Sequence, residues 1–203
     1  MKKIIIFGSG GHSKACIDVI ESENKFKIIG LIDNKKKYNS LFKYKILGSE
    51  RELEFISKKV SFALIAVGHL KDNKIRENLY KKAKYFKFNF PTIISPLAYV
   101  SKHAIIGPGT IIMHGSIVNA GASIAENCII NTNSLIEHDV KIESHCHIST
   151  GAIVNGGAFI KKNTFIGSCA VIKQNIIVGK NCFINSNIFL EKDLKDNSRI
   201  YEK

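Results

Sequence analysis

No stretch of this 203-residue chain is apolar for long enough to cross a bilayer, and no basic leader runs into an apolar segment near Met1. Both absences argue against a membrane partner or a secretory route, and a cytoplasmic protein is expected. Cysteine gives no disulfide framework: there are five, an odd number, and Cys128, Cys146 and Cys182 share one phase of a repeat, as small core residues do. Acidic residues are scarce, 17 against 30 Lys and Arg, for a formal net charge of +13. That charge would suit nucleic acid, but the lysines are scattered and no basic run is interleaved with aromatics. No nucleic-acid partner is expected, and any electrostatic benefit goes to small anionic substrates. Proline occurs only three times. Pro91 and Pro96 fall close together, Ser95-Pro96 reads as a turn, and a domain boundary is expected there, dividing the chain into residues 1–92 and 93–203.

What the second segment has is a period. An aliphatic residue stands at every sixth position from Ile106 to Leu190, through Ile112, Val118, Ile124, Ile130, Ile136, Ile142 and onward. Two positions earlier lies a mostly small residue, as in Thr110, Ser116, Ala122, Cys128 and Ser134. Six fits neither a helical stripe nor simple strand alternation, so each hexapeptide is one side of a solenoid coil, with a narrow and a wide side chain turned inward. The residue after each aliphatic is rich in Gly, Asn and charge, and the tight corner with positive φ is expected there. If the coil is a triangular prism, residues stack on those eighteen positions away, and each coil buries its core only against its neighbours.

The first segment alternates strand and helix. Strands are expected over residues 3–7, 26–32 and 62–67, and helices over 13–23, 50–59 and 71–85, which makes a small doubly wound sheet of Rossmann-like α/β type. The first strand enters Gly8-Ser9-Gly10-Gly11-His12. A glycine turn between strand and helix lets backbone N–H groups approach a phosphate, and an acidic residue at the tip of the next strand, here Asp33, can accept from a ribose or base. The third glycine of G-x-G-x-x-G is missing and the second half of a dinucleotide domain is absent. A mononucleotide is the expected ligand.

His138 stands out among the histidines because it sits at a solenoid corner between Glu137 and Asp139. Its vertical neighbour eighteen residues on is Gly156, which leaves a gap over the imidazole. A histidine with an adjacent carboxylate to hold its tautomer is a general-base arrangement. Asn131 and His147 fall on one face in successive coils, although Asn119, Asn155 and Asn185 share the phase of Asn131.

The GSGGHSK segment, the uninterrupted hexapeptides and the string from Ile130 to Asp139, with Ile-Glu-His-Asp at its end, together resemble the bacterial sugar acetyltransferases of bacillosamine and perosamine N-acetyltransferase type and their sialic-acid O-acetyltransferase relatives. The resemblance spans nearly the whole chain. It implies a left-handed parallel β-helix after the α/β domain, assembled as a homotrimer with active sites between subunits and with acetyl-CoA as co-substrate and no metal. By that resemblance His138 is the base and Asp139 raises its basicity, while His147, Gly156 and Ser168 line the acetyl-CoA site. Gly10, Gly11, His12, Asp33, Asn34, Gly68 and Asn131 would bind the nucleotide-sugar substrate. The relatives close with a Gly-x-Pro-Ala-Lys-like segment near the cofactor's nucleotide, where this sequence reads Arg199-Ile200-Tyr201-Glu202-Lys203.

The expected chemistry is direct acetyl transfer to the amine of a nucleotide-linked 4-amino sugar for glycan biosynthesis, with His138 taking the proton and backbone N–H groups stabilising the oxyanion. An O-acetyltransferase would use the same base on a sugar hydroxyl. A metal-dependent hydratase would draw nitrogen atoms from His103, His138, His145 and His147 but has no use for the front domain. A non-catalytic binding module would fail to bind acetyl-CoA.

Overall fold

The computed structural model describes residues 1–34, 39–68 and 74–201. Internal contacts divide the chain into two compact units, Met1–Ile93 and Ile94–Lys203.

The first unit is built on a sheet of order β3-β4-β2-β1-β5, with β1 (Lys2–Phe7), β2 (Phe26–Ile32), β3 (Ser40–Leu41), β4 (Tyr44–Gly48) and β5 (Phe62–Ile65). All pairings are parallel except the β3–β4 hairpin. A strand flanked on both sides in a covered parallel sheet has no polar face, which is why Ile4, Ile5 and Ile6 run unbroken and are wholly buried. Helix α1 (Gly11–Glu23) buries Cys16, Ile17, Val19 and Ile20 along one stripe and ends at Asn24, a left-handed residue whose N–H returns to the Ile20 carbonyl. Phe7 is in register with Ile32 on one side and Ile65 on the other. The segments that leave these three strands, residues 8–11, 33–34 and 66–68, therefore emerge at one edge of the sheet.

Two elements differ from the sequence expectation. The helix expected over 50–59 is a 3-10 turn (Glu50–Glu52), capped by Ser49, followed by the short α2 (Leu53–Ser57). The β3–β4 hairpin was not anticipated, because β4 alternates only between half-buried and exposed residues and carries no apolar face. Helix α3 runs Lys74–Tyr85, and the first residues of its expected range, 71–73, lie outside the described residues.

The second unit is a parallel β-helix of three stacked sheets. The first face contains Ile111–Ile112, Ile129–Ile130, His147–Ile148 and Phe165–Ile166; the second Ile117–Val118, Leu135–Ile136 and Ile153–Val154; the third Ser123–Ile124, Lys141–Ile142 and Phe159–Ile160. Partners are eighteen residues apart, as in Ile130↔Ile148 and Ile136↔Val154, until the last coil, where Phe183 pairs with Arg199 and Ile184 with Ile200. The wide slot is filled by a column of β-branched side chains from Ile112 to Ile184, none more than 2% exposed, each contributing about 1.5–3 kcal/mol by burial. The narrow slot has its own logic. Thr110, Ser116 and Thr164 each donate a hydroxyl to the carbonyl fifteen residues on, all at 2.7 Å, and the thiols of Cys128 and Cys146 do the same at 3.2 Å. The slot requires small size, which Ala122, Ala152, Ala158 and Ala170 meet without a donor; where a hydroxyl stands there it is partnered, since an unpartnered buried hydroxyl is costly.

The corner phase needs correction. Positive φ falls three residues after each aliphatic, not one, at Gly109, Gly115, Gly121, Asn127, Asn133, Asp139, His145, Gly151 and on through Asn187. Glycine and asparagine tolerate that region best; from Gly109 to Asn187, Asp139, His145 and Cys169 depart from them. The residue directly after the aliphatic is constrained differently. At Gly107 and Gly167 a Cβ would lie 2.5 and 2.4 Å from the backbone of the next coil.

Candidate functional site

Two groups of expected site residues are present, one on each unit. On the β-helix, Leu135–Ile136 ends the second face and Lys141–Ile142 begins the third, so residues 137–140 turn the corner between them. His138 projects from that corner with 67% of its side chain exposed, and its Nδ1 lies 2.9 Å from Asp139 Oδ2. With Asp139 accepting from Nδ1–H, the lone pair falls on Nε2. That hydrogen bond holds the imidazole above its ordinary pKa, against a smaller desolvation in the other direction. Gly156 lies over the ring: a Cβ there would stand 2.6 Å from Nε2 and 2.7 Å from Cε1. The stacking of Gly156 on His138 inferred from the eighteen-residue spacing is found, and the ring fills the room that a side chain at 156 would take. Glu137 sits beneath, its Oε2 receiving Asn119 Nδ2 at 3.0 Å and the His138 backbone N–H at 3.2 Å.

Asn131, His147 and Ser168 do not join His138 within one chain. Asn131 and Ser168 stand at the corner between the first and second faces, and His147 on the strand of the first face that leads into it. Asn131 Nδ2 approaches His147 Nε2 at 3.3 Å, His147 packs edge-on against Phe165 at 5.1 Å and is 5% exposed, and Ser168 Oγ meets Ser149 Oγ at 3.0 Å.

On the first unit, Gly8, with φ +106, turns the chain out of β1, and a Cβ there would come within 3.0 Å of Val67. Gly10 precedes α1 without any side-chain cap, and neither Gly10 nor Gly11 would bring a Cβ within 4 Å of anything. The helix N–H groups thus open onto free space, as an anion site needs. Asp33 lies across the turn, its Oδ2 accepting from Ser9 Oγ at 2.6 Å. Gly68 faces His12, a Cβ there lying 3.8 Å from that of His12, and His12 Nε2 is 3.4 Å from Cys16 Sγ. Asn34 is engaged elsewhere: its amide donates to Glu50 Oε1 and its oxygen accepts from the Glu50 N–H at 3.0 Å. Six of the expected residues of this unit therefore share one sheet edge, five around the turn and Asn34 tying in the 3-10 turn.

Comparison with known proteins agrees with this division. A family model described as the PglD N-terminal domain matches residues 3–83. The UDP-N-acetylbacillosamine N-acetyltransferase of Bacillus subtilis (strain 168) is 36% identical over 116 residues, 56% of this chain; the chain spans about half of that relative, 52%. The acetyltransferase domain of PglB from Neisseria gonorrhoeae FA1090, solved with acetyl coenzyme A, superposes with a TM-score of 0.91 at 27% identity over 98% of this chain and 95% of its own. The chain is thus similar in sequence to a bacillosamine N-acetyltransferase and in fold to the PglB acetyltransferase domain. Its fold is an N-terminal α/β domain followed by a left-handed parallel β-helix. Perosamine N-acetyltransferase from Caulobacter crescentus, in complex with CoA and GDP-perosamine, shares the fold with a TM-score of 0.92 at 24% identity, covering 98% of this chain and 93% of its own.

Among the described residues no helix is long and apolar enough to cross a membrane, and no group of three His, Cys, Asp or Glu side chains is placed to hold a metal ion. Sequence reasoning singled out neither Ser9, which donates to Asp33, nor Glu137, which accepts from the His138 N–H, nor Gly121, whose missing side chain leaves room for Asp139 Oδ1. Ser9 carried no signal beyond its place between two glycines. Gly121 could have been found, since the eighteen-residue step that leads up from His138 to Gly156 leads down from Asp139 to Gly121.

Proposed function

We propose that this protein is an acetyl-CoA-dependent N-acetyltransferase acting on the amino group of a nucleotide-activated amino sugar in bacterial glycan biosynthesis, working in the cytoplasm. The observation that carries it is the corner dyad: an exposed imidazole with Nδ1 held by a carboxylate and Nε2 beneath a glycine. The relatives named above support the reaction class. Acetyl-CoA supplies the acetyl group. The ring is open to its approach from solvent, being 67% exposed, while Gly156, without a side chain, lets the imidazole lie against its backbone.

In this scheme the sugar amine attacks the thioester carbonyl carbon, the C–S bond breaks, and the proton lost by nitrogen passes to His138 Nε2 and then to the departing thiolate. Asp139 favours the imidazolium formed on the way. Since His138 must be neutral to accept a proton and its pKa is raised, turnover falls as pH drops through that raised value, above the ordinary imidazole figure of about 6.5. The nucleotide is held at the α1 N-terminus, where Gly10 and Gly11 leave the phosphate unobstructed, with Asp33, positioned by Ser9, accepting from the ribose or base.

A homotrimer completes the site. The outward row of the second face is apolar on every rung, at Tyr99, Ile117, Leu135, Ile153, Val171 and Phe189, with Tyr99 59% and Phe189 42% exposed. A neighbouring copy would cover that row and bring its own corner of Asn131, His147 and Ser168 toward His138.

Replacing His138 by Ala should lower kcat by about 10²- to 10⁴-fold without moving the melting temperature, measured by thiol release from acetyl-CoA with a panel of nucleotide-linked amino sugars and their hydroxyl counterparts. Wild-type turnover in the variant removes His138 as base. Transfer to hydroxyl acceptors in preference to amines would replace N- by O-acetylation.

A further inference from the structure

Asp139 occupies a left-handed corner, with φ +60, and one coil below it lies Gly121 in the same conformation, with φ +76. The Asp139 side chain reaches down over that glycine. A Cβ built on Gly121 would lie 2.4 Å from Asp139 Oδ1, while the nearest Asp139 backbone atom, its nitrogen, stays at 3.4 Å. The other carboxylate oxygen, Oδ2, is the one that holds His138 Nδ1. A side chain on Gly121 would therefore displace the carboxylate and leave the backbone of the corner in place.

We infer that Gly121 is a positioning residue for acetyl transfer, whose missing side chain is the seat that lets the Asp139 carboxylate reach His138. The inference rests on His138 being the base. It is not a general property of corner glycines, because the stacking partner decides the consequence. At Gly115, with φ +68, a Cβ would meet Asn133 Oδ1 at 2.0 Å, and Asn133 belongs to a corner with no histidine before it. Glycine 121 and glycine 115 thus share conformation and crowding and differ in what they crowd.

The test compares Gly121→Asn with Gly115→Asn. Asparagine tolerates the left-handed region and fills it at Asn127, Asn133 and Asn163, so each variant introduces crowding with little backbone strain. Two quantities are followed in the full-length protein: the pH profile of kcat/KM, and the His138 ring pKa by NMR titration. For Gly121→Asn the ring pKa and the acid limb should move together to lower pH, and the plateau should fall by about tenfold as the base weakens. Gly115→Asn should leave the limb and the ring pKa at their wild-type values. Asp139→Asn should reproduce the shift, and adding Gly121→Asn to it should change nothing more, since both act through one carboxylate.

An unshifted ring pKa in Gly121→Asn overturns the inference, as does an equal effect of Gly121→Asn with and without Asp139. If Gly121→Asn does not fold, Gly121→Ala carries the same comparison, because the Cβ alone meets Oδ1. The ring pKa is read without turnover. A shifted ring pKa combined with full activity of His138→Ala would leave Gly121 as the seat of the carboxylate and remove the catalytic reading, so the two failures are distinguishable.

Discussion

The two units specify their sites by different rules. In the β-helix a residue's surroundings follow from its number: the partner lies eighteen positions away, the left-handed corner recurs every six, and inward slots alternate narrow and wide. A residue that departs from the pattern is then conspicuous, as Asp139, His145 and Cys169 are among corners otherwise given to Gly and Asn. In the α/β unit no arithmetic connects Ser9 to Asp33 or Gly68 to His12. They meet because β1 lies between β2 and β5 in register, so three separate turns emerge at one edge. A repeating architecture makes a site visible through its exceptions, and a wound sheet makes it visible through where its strands end.

The contrast can be broken by substitution. The largest effect is expected from Ile148→Ala, which opens the wide-slot column between Ile130 and Ile166. A loss of about 2–5 kcal/mol should appear as a lowered denaturation midpoint of the β-helix, and a loss well under 1 kcal/mol would mean that the column is not its core. Next is Gly156→Ala. Its conformation needs no glycine, so stability should be kept while kcat/KM drops about 100-fold through displacement of the His138 ring; an unchanged rate would show that the ring's position against Gly156 is not used. Asp33→Asn addresses the sheet edge and should raise KM for the nucleotide sugar about tenfold, a loss of the size given by one charge-assisted hydrogen bond, with KM for acetyl-CoA unmoved. Parallel changes in both KM values would remove Asp33 from the nucleotide site. The smallest effect is expected from Asn34→Ala. Because both ends of its amide are committed to Glu50, it should cost about 1 kcal/mol of stability and leave both KM values alone, and a large rise in the sugar KM would restore Asn34 to substrate contact.

The sequence read well where period was the signal. The solenoid, its eighteen-residue stacking and the place of Gly156 against His138 all followed from counting, and the first strand followed from an apolar run. The corner phase did not, because Gly and Asn are frequent at two positions of the hexapeptide for two reasons. One is a left-handed φ, as at Gly121; the other is close approach of the next coil, as at Gly107. Composition alone does not separate them. The β3–β4 hairpin escaped because its residues are neither clearly inward nor outward. The engagement of Asn34 with Glu50 escaped because a side-chain amide sixteen residues from its partner leaves no mark in local pattern.

The left-handed corners also make the His138–Asp139 pair portable. Every coil offers the same backbone slot, hospitable to a short acidic side chain, with a preceding outward residue and a partner one storey up that can be emptied to glycine. Transplanting the His-Asp pair and its two glycines by eighteen residues would carry the reactive nitrogen about 4.8 Å along the axis without rebuilding the scaffold. The height of such a pair along the β-helix is, in this fold, adjustable in whole steps of one coil.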